Sequence, residues 1–201
     1  MVLIATGNPG KLAEFGRLLR GIRTVSPAER GLADLLVAET GSTFHDNALL
    51  KARAWAEASG LVSLADDSGL EVDALGGAPG VLSARYGGEG LDDGGRCRLL
   101  LGALDGVPPE ERGARFRCCL AAAAPDGRLA TAEGVCEGRI LEAPVGRGGF
   151  GYDPVFFAAE AGRGMAELSA DEKGAISHRG RALGAIRPLL LERFPEIAGR
   201  P

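Results

Sequence analysis

Lysine is scarce in this chain. Of the 23 basic residues among 201, three are lysine (Lys11, Lys51 and Lys173) and twenty are arginine. Background drift towards arginine explains most positions. It also singles out the three lysines, because an ammonium is a compact point charge that a planar guanidinium does not always replace. Aromatic residues are equally few at 5%, and histidine occurs twice, at His45 and His178. The formal charge is −4, and no basic stripe is visible, so a general nucleic-acid binder is not expected. No apolar run approaches the ~20 residues that span a bilayer, so no membrane segment is expected. Met1 leads straight into a short strand pattern without the basic, long apolar and small-residue regions of a secretion signal. Cytoplasmic residence is the corresponding expectation. The four cysteines (Cys97, Cys118, Cys119 and Cys136) include no CxxC pair. Adjacent Cys118 and Cys119 would point to opposite faces of a strand, and all four read as reduced, buried thiols.

Apolar residues make up 45% and charged residues 25%, the balance of a globular protein with a real core. The length suits a single domain over residues 1–201. Residues 2–6 read as a buried strand and 11–19 as a helix with Leu12, Phe15, Leu18 and Leu19 on one side. Thr24-Val25 offers a second short strand. Residues 43–59 predict a helix capped by Thr43, with Phe44, Ala48, Ala52, Trp55 and Ala56 as its apolar face and Gly60 as its stop. Residues 61–65 predict a strand that "DDSG" breaks, with 70–74 extended again beyond it. A helix is expected over 92–104, then a hairpin of 114–123 and 129–136 around "PDG". Ser169 and Glu172 fit a capping box. The last helix is expected from about Ser177 to Phe194, with Pro188 kinking or ending it. Strand–helix units mixed with a hairpin predict a mixed α/β sheet rather than a purely parallel one.

Four segments carry candidate chemistry. In "VLIATGNPGKLAEF" a strand passes through glycines into a helix, which aims backbone N–H groups and the helix dipole at an anion. The spacing is not that of a Walker loop, since Lys11 is followed by Leu12 rather than by a hydroxyl residue, and the dinucleotide GxGxxG pattern is absent too. Thr6, Asn8 and Lys11 still place a hydroxyl, an amide and a cation there; a plain strand–helix turn reads equally well. Carboxylates gather at Glu39, Asp66 and Asp67, with Glu71 and Asp73 beyond. Oxygen ligands of this kind suit Mg²⁺ held by one or two carboxylates, waters and substrate phosphates, although "DDSG" alone is also good turn chemistry. Lys51 is either a solvated helix lysine or a further cation for a polyphosphate. Phe150 and Tyr152 offer a stacking face or ordinary core, Asp153 an acceptor, and Lys173, His178 and Arg179 a short run of donors. Such donors suit an oxygen-rich purine edge, because a 6-keto group accepts where a 6-amino group donates.

Taken in order, "TGNPGK", "ETGSTFHDNALLKA", "ADDSGLEVDALGGAPGVLSARY", "GGFGYDPVFF" and "DEKGAISHRGRAL" closely resemble the Ham1/inosine triphosphate pyrophosphatase family, and its bacterial dITP/XTP pyrophosphatase branch in particular. The resemblance covers residues 2 to about 190. It implies an elongated mixed sheet flanked by helices, two lobes with a central cleft, and a homodimer. It implies a Mg²⁺-dependent hydrolase that converts ITP, dITP and XTP to the monophosphate and pyrophosphate and so cleanses the nucleotide pool. Carried over by residue, Thr6, Gly7, Asn8, Pro9, Gly10 and Lys11 would hold phosphates, with Lys51 near them. Asp67 would accept a proton and bind metal, with Glu39 a second ligand, and Ser68 would touch substrate. Phe150, Gly151, Tyr152 and Asp153 would wall the base, and Lys173, His178 and Arg179 would read it. Pro9 and Pro188 depart from the pattern. The rival readings are a Maf-like pyrophosphatase of pyrimidine or modified nucleotides and a non-hydrolysing nucleotide sensor.

Overall fold

A computed structural model describes residues 1–88 and 90–198. Seven strands form one sheet: β1 (Val2–Ile4), β2 (Thr24–Val25), β3 (Val62–Val72), β4 (Gly113–Ala123), β5 (Leu129–Ile140), β6 (Phe156–Ala158) and β7 (Arg163–Gly164), in the order β2-β1-β3-β4-β5-β6-β7. β1 runs parallel to both β2 and β3, whereas β5, β6 and β7 are antiparallel. The sheet is therefore mixed, as the alternation of motifs predicts. Among the described residues five α-helices accompany it: α1 (Pro9–Leu18), α2 (Phe44–Ser59), α3 (Asp93–Ala103), α4 (Ala170–Ile176) and α5 (His178–Arg193).

Contacts gather into two compact units. The first comprises Met1–Asp67, Cys118–Gly134 and the described residues from Arg179 on; the second comprises Ser68–Arg117 and Val135–His178, Glu89 aside. In the first unit, strand alternation builds two separate core layers. Val62, Leu64, Cys118, Leu120 and Ala122 pack with Phe15 of α1, with Leu19 just past its end, and with Ala182, Leu183, Ile186 and Leu190 of α5. Leu3, Ala5, Ala65, Cys119, Ala121 and Ala123 meet Ala48, Ala52, Trp55 and Ala56 of α2. Alanine at three successive turns of α2 keeps that contact thin, so helix and sheet approach closely. In the second unit, Leu70, Val72, Phe116, Cys136, Ile140 and Phe156 pack with Cys97 and Leu100 of α3 and with Leu104 just past its end.

Two expectations are corrected. "DDSG" does not interrupt the strand: β3 runs unbroken from Val62 to Val72. β1 pairs only with Val62–Leu64, and β4 is the neighbour on the other side; burial of Asp66, Asp67 and Leu70 within the strand outweighs the local turn preference of Asp-Asp-Ser-Gly. Nor does Pro188 end the last helix, which continues to Arg193. Ile186 and Leu190 on either side of it are fully buried. Their burial, at roughly 2 kcal/mol per side chain, offsets the loss of about 3 kcal/mol that an internal proline brings. Other local signals hold. Thr43 accepts from Asp46 N–H at the start of α2, and the Ser169–Glu172 capping box forms at α4.

All four cysteines are buried and outside any disulfide, and burial, with Asp93 and Asp153 adding to it, pushes the Cys97 thiol up to about 11. Cys118 is raised well above the usual thiol range, again chiefly by burial. The folded protein at pH 8 should therefore not react with a thiol-titrating disulfide within minutes, and four thiols should appear on adding guanidinium; fast labelling of any one in the native protein would contradict this placement.

Candidate active site

The anion loop is built by local hydrogen bonds. Thr6 Oγ1 accepts from Asn8 N–H at 3.1 Å, and Asn8 Oδ1 accepts from Lys11 N–H at 3.0 Å, capping α1. Pro9 sits in the first turn, where its missing N–H removes nothing from the helix. Gly7, Asn8 and Pro9 are exposed, and nothing lies within 4 Å of where a Gly7 side chain would begin. The positive end of α1 thus opens to solvent over this stretch, with Gly10 and Lys11 following.

Alternation along β3 sends Asp66 and Asp67 to opposite faces, and each meets a different cation. Asp66 turns to the α1/α5 side, where it accepts from the Lys11 ammonium and, through Oδ2, from Arg179 Nε at 2.7 Å and the Cys118 thiol at 3.3 Å. Arg179 is 1% exposed and its other arm donates to Glu14. Burial alone would raise the Asp66 carboxyl; Arg179 and Lys11 outweigh it and hold it well below the usual carboxylate range.

Asp67 turns to the α2 side. Its Oδ1 accepts from Lys51 Nζ at 2.6 Å, and the same ammonium reaches Glu39 Oε1 at 2.9 Å. Glu39 is delivered by the loop before α2, which is pinned where Asn47 Oδ1 accepts from Gly41 N–H at 2.8 Å. Glycine is required there by crowding, since a Cβ on Gly41 would stand 2.7 Å from the Asp46 Cβ. Asp67 Oδ2 is different: it is buried and accepts no hydrogen bond. Burial and the second negative charge of Glu39 outweigh Lys51 and lift the Asp67 carboxyl above its ordinary value, with Lys11 close enough to oppose the rise. The unit therefore gathers the cations Lys11, Lys51 and Arg179 against the carboxylates Glu14, Glu39, Asp66 and Asp67. Negative charge is in excess, and an orphaned carboxylate oxygen lies within it. Hard oxygen donors in this state fit a divalent cation such as Mg²⁺.

The second unit holds Ser68, Phe150, Gly151, Tyr152, Asp153, Lys173 and His178. Asp153 Oδ2 accepts from Phe150 N–H at 2.8 Å and from Lys173 Nζ at 2.5 Å, and the same ammonium lies 4.6 Å from the Phe150 ring centroid. His178 is buried and stacks on Phe116, with centroids 4.8 Å apart and planes 15° from parallel. Tyr152 belongs to the core: it is 5% exposed and its hydroxyl donates to Ser83 C=O at 2.9 Å. Phe150, half-buried, is the more accessible ring. Arg179, grouped with Lys173 and His178 in the sequence, spends its guanidinium instead on Asp66 and Glu14 in the first unit. Glu14, Cys118 and Phe116 escaped the sequence reading. Glu14 left a signal, since it follows Lys11 by three residues and so shares its helix face. Cys118 and Phe116 look like ordinary inward strand positions.

Known proteins resemble this chain over nearly its full length. The family model described as the Ham1 family matches residues 2–189. A dITP/XTP pyrophosphatase of Desulforamulus reducens is 53% identical over 192 residues, covering 94% of each chain. One from Geobacillus kaustophilus is 51% identical over 200 residues, 98% of this chain and 96% of its own. The solved Staphylococcus aureus Ham1 protein superposes with a TM-score of 0.84 at 39% identity, over 95% of this chain and 98% of that one. A mixed sheet of this order, a family model that spans it and relatives at half identity place the chain in the Ham1 family.

Proposed function

We propose that this chain is a nucleoside triphosphate pyrophosphohydrolase that converts dITP, ITP and XTP to the monophosphate and pyrophosphate, removing non-standard purine nucleotides from the pool. The observation that carries the reading is the buried, unbonded Asp67 Oδ2 beside Lys51 and Glu39, in the same unit as the open N-terminus of α1. Support for the substrate class comes from the relatives, named dITP/XTP pyrophosphatases. The protein uses a divalent metal, which we take to be Mg²⁺, and acts as a cytoplasmic homodimer, as the family resemblance implies. Four cysteines outside any disulfide agree with a reducing compartment. No helix among the described residues is long and apolar enough to cross a membrane.

Asp67 and Glu39 would hold the metal, which when bound supplies neutralisation of phosphate charge. The chain's own groups do the rest. Asp67 Oδ2 accepts the proton of the water that attacks phosphorus at the α–β junction; one P–O bond forms there as the anhydride bond breaks and pyrophosphate leaves. The raised Asp67 carboxyl makes it a better base than an ordinary aspartate. Lys51 has three N–H donors, two of them on Asp67 and Glu39, so a third can meet a phosphate oxygen. Lys11 and the loop of Thr6, Gly7, Asn8, Pro9 and Gly10 receive the remaining phosphate charge. In the second unit, Phe150 offers a face to the base while Asp153, Lys173 and His178 read its edge, with Gly151, Tyr152 and Ser68 shaping the surroundings. Arg179 acts by fixing Asp66, and through it Lys11.

Pyrophosphate release from ITP, XTP, dTTP, GTP and ATP with Mg²⁺ tests the proposal. Donors placed for keto oxygens leave a site unpaired against adenine's amino group, so kcat/KM for ITP and XTP should exceed that for ATP by about a hundredfold or more. Equal rates on ITP and ATP would refute base reading, and preference for dTTP would favour the Maf-like alternative.

A further inference from the structure

In the second unit, the two peptide groups that flank one residue of the glycine-rich loop are each held by a helix side chain. Helix α3 begins just after Asp92, which caps it by accepting from Gly95 N–H at 2.6 Å. That cap leaves Asp93 for another task. Its Oδ2 accepts from Gly151 N–H at 2.7 Å, and its Oδ1 lies 3.9 Å from Arg96 Nη1. One helical turn on, the Cys97 thiol donates to Gly151 C=O at 3.4 Å. Residues four apart share a helix face, so two side chains of α3 hold the donor and the acceptor of a single residue.

Gly151 is a pivot. It has φ +61°, the left-handed conformation that glycine adopts without strain. A Cβ there would meet nothing within 4 Å, so conformation rather than crowding calls for glycine. On one side of it, Phe150 N–H is tied to Asp153, which holds Lys173. On the other, the Tyr152 hydroxyl is tied to Ser83. The ring and charges read above as base-recognising thus hang on the peptide planes that flank Gly151. With a pKa near 11, the Cys97 thiol keeps its proton at neutral pH and remains a donor.

We propose that Asp93 and Cys97 are positioning residues for base recognition: by gripping the N–H and C=O of Gly151 they fix the segment from Phe150 to Asp153 and so set the preference for keto over amino purines. The inference rests on the reading of that segment as the base site. A clamp of this kind acts on where the base is held and leaves the phosphate groups of the first unit untouched.

The test compares wild type with Asp93→Ala, Cys97→Ala and the double variant, and with the conservative pair Asp93→Asn and Cys97→Ser, which keep an acceptor and a donor. The readouts are kcat and KM for ITP and ATP, inhibition by inorganic pyrophosphate, which has no base, and the melting temperature. The double alanine variant should lose about tenfold of the ITP-over-ATP ratio, mostly through KM for ITP, a loss in the range of one or two hydrogen bonds. Pyrophosphate inhibition should stay at the wild-type value, and the conservative pair should restore the ratio. A folded double variant with the wild-type ratio overturns the inference, as does an equal loss on both nucleotides that the conservative pair fails to rescue. Should the double variant not fold, the single variants carry the same test. Failure of the base reading itself is distinguishable, because wild type would then fail to discriminate ITP from ATP before any substitution.

Discussion

Replacing Asp67 with asparagine is expected to lower kcat/KM for ITP by about a thousandfold or more, while the protein stays folded. A positioned general base contributes roughly 10²–10⁴ to a rate, and the substitution also weakens one of the two proposed metal ligands. Asparagine is close to isosteric with aspartate, so the β3 position it occupies should pack unchanged. Lys51 keeps Glu39 at 2.9 Å as a charged partner, which limits the cost of losing the Asp67 charge. The choice of Asp67 over its neighbour follows from geometry. Asp66 is fully buried and accepts from Lys11, Arg179 and Cys118, so its lone pairs are committed. Asp67 has an oxygen with no hydrogen-bond partner. Pyrophosphate release measured with excess Mg²⁺, alongside circular dichroism and a thermal melt, checks the claim. A folded Asp67→Asn enzyme within tenfold of wild type would remove Asp67 from the chemistry.

Much of this fold was legible because its signals are local. Thr43 and Gly60 bound α2, and Ser169 with Glu172 opens α4, each through a cap that a few residues define on their own. The errors lie where distant chain decides. "DDSG" has the composition of a turn and becomes mid-strand in a buried stretch of β3, beside β4. Pro188 has the chemistry of a helix breaker and is carried by the buried residues around it. The candidate site divides in the same way. Lys11, Lys51 and Lys173 stood out because lysine is scarce, and each is found on a carboxylate: Asp66, Asp67 with Glu39, and Asp153. What composition could not supply was the partition between them. The opposite facing of Asp66 and Asp67 follows from strand alternation, but only once the segment is known to be a strand. Arg179 sits in sequence beside His178 and Lys173, yet its partners Glu14 and Asp66 are 165 and 113 residues away. Separations of that size leave no trace in a local pattern.

That long-range cluster makes the second large effect one of stability. Arg179→Met should destabilise the fold by about 3–5 kcal/mol, the range for removing one partner of a buried ion pair. The guanidinium side chain is 2% exposed and the carboxylates of Asp66 and Glu14 are 0% and 8% exposed. Methionine fills much of the volume, so the loss comes from charge left without compensation in a place water does not reach. Lys11 still meets Asp66, whereas Glu14 loses the guanidinium arm that Arg179 directs at it. The double variant Arg179→Met with Glu14→Leu should therefore be more stable than Arg179→Met alone, a non-additivity that a packing defect would not produce. Arg179→Lys should fall between, since an ammonium restores the charge but cannot span both carboxylates as the fork does. Urea unfolding followed by circular dichroism gives each value. An Arg179→Met protein within 1 kcal/mol of wild type, or a double variant no better than the single, would show that the network around Asp66 is not what holds this corner of the first unit together. The same variants report on function: with Asp66 loosened, Lys11 loses its fixed seat, and KM for ITP should rise while discrimination against ATP, which we propose rests on the second unit, should not change.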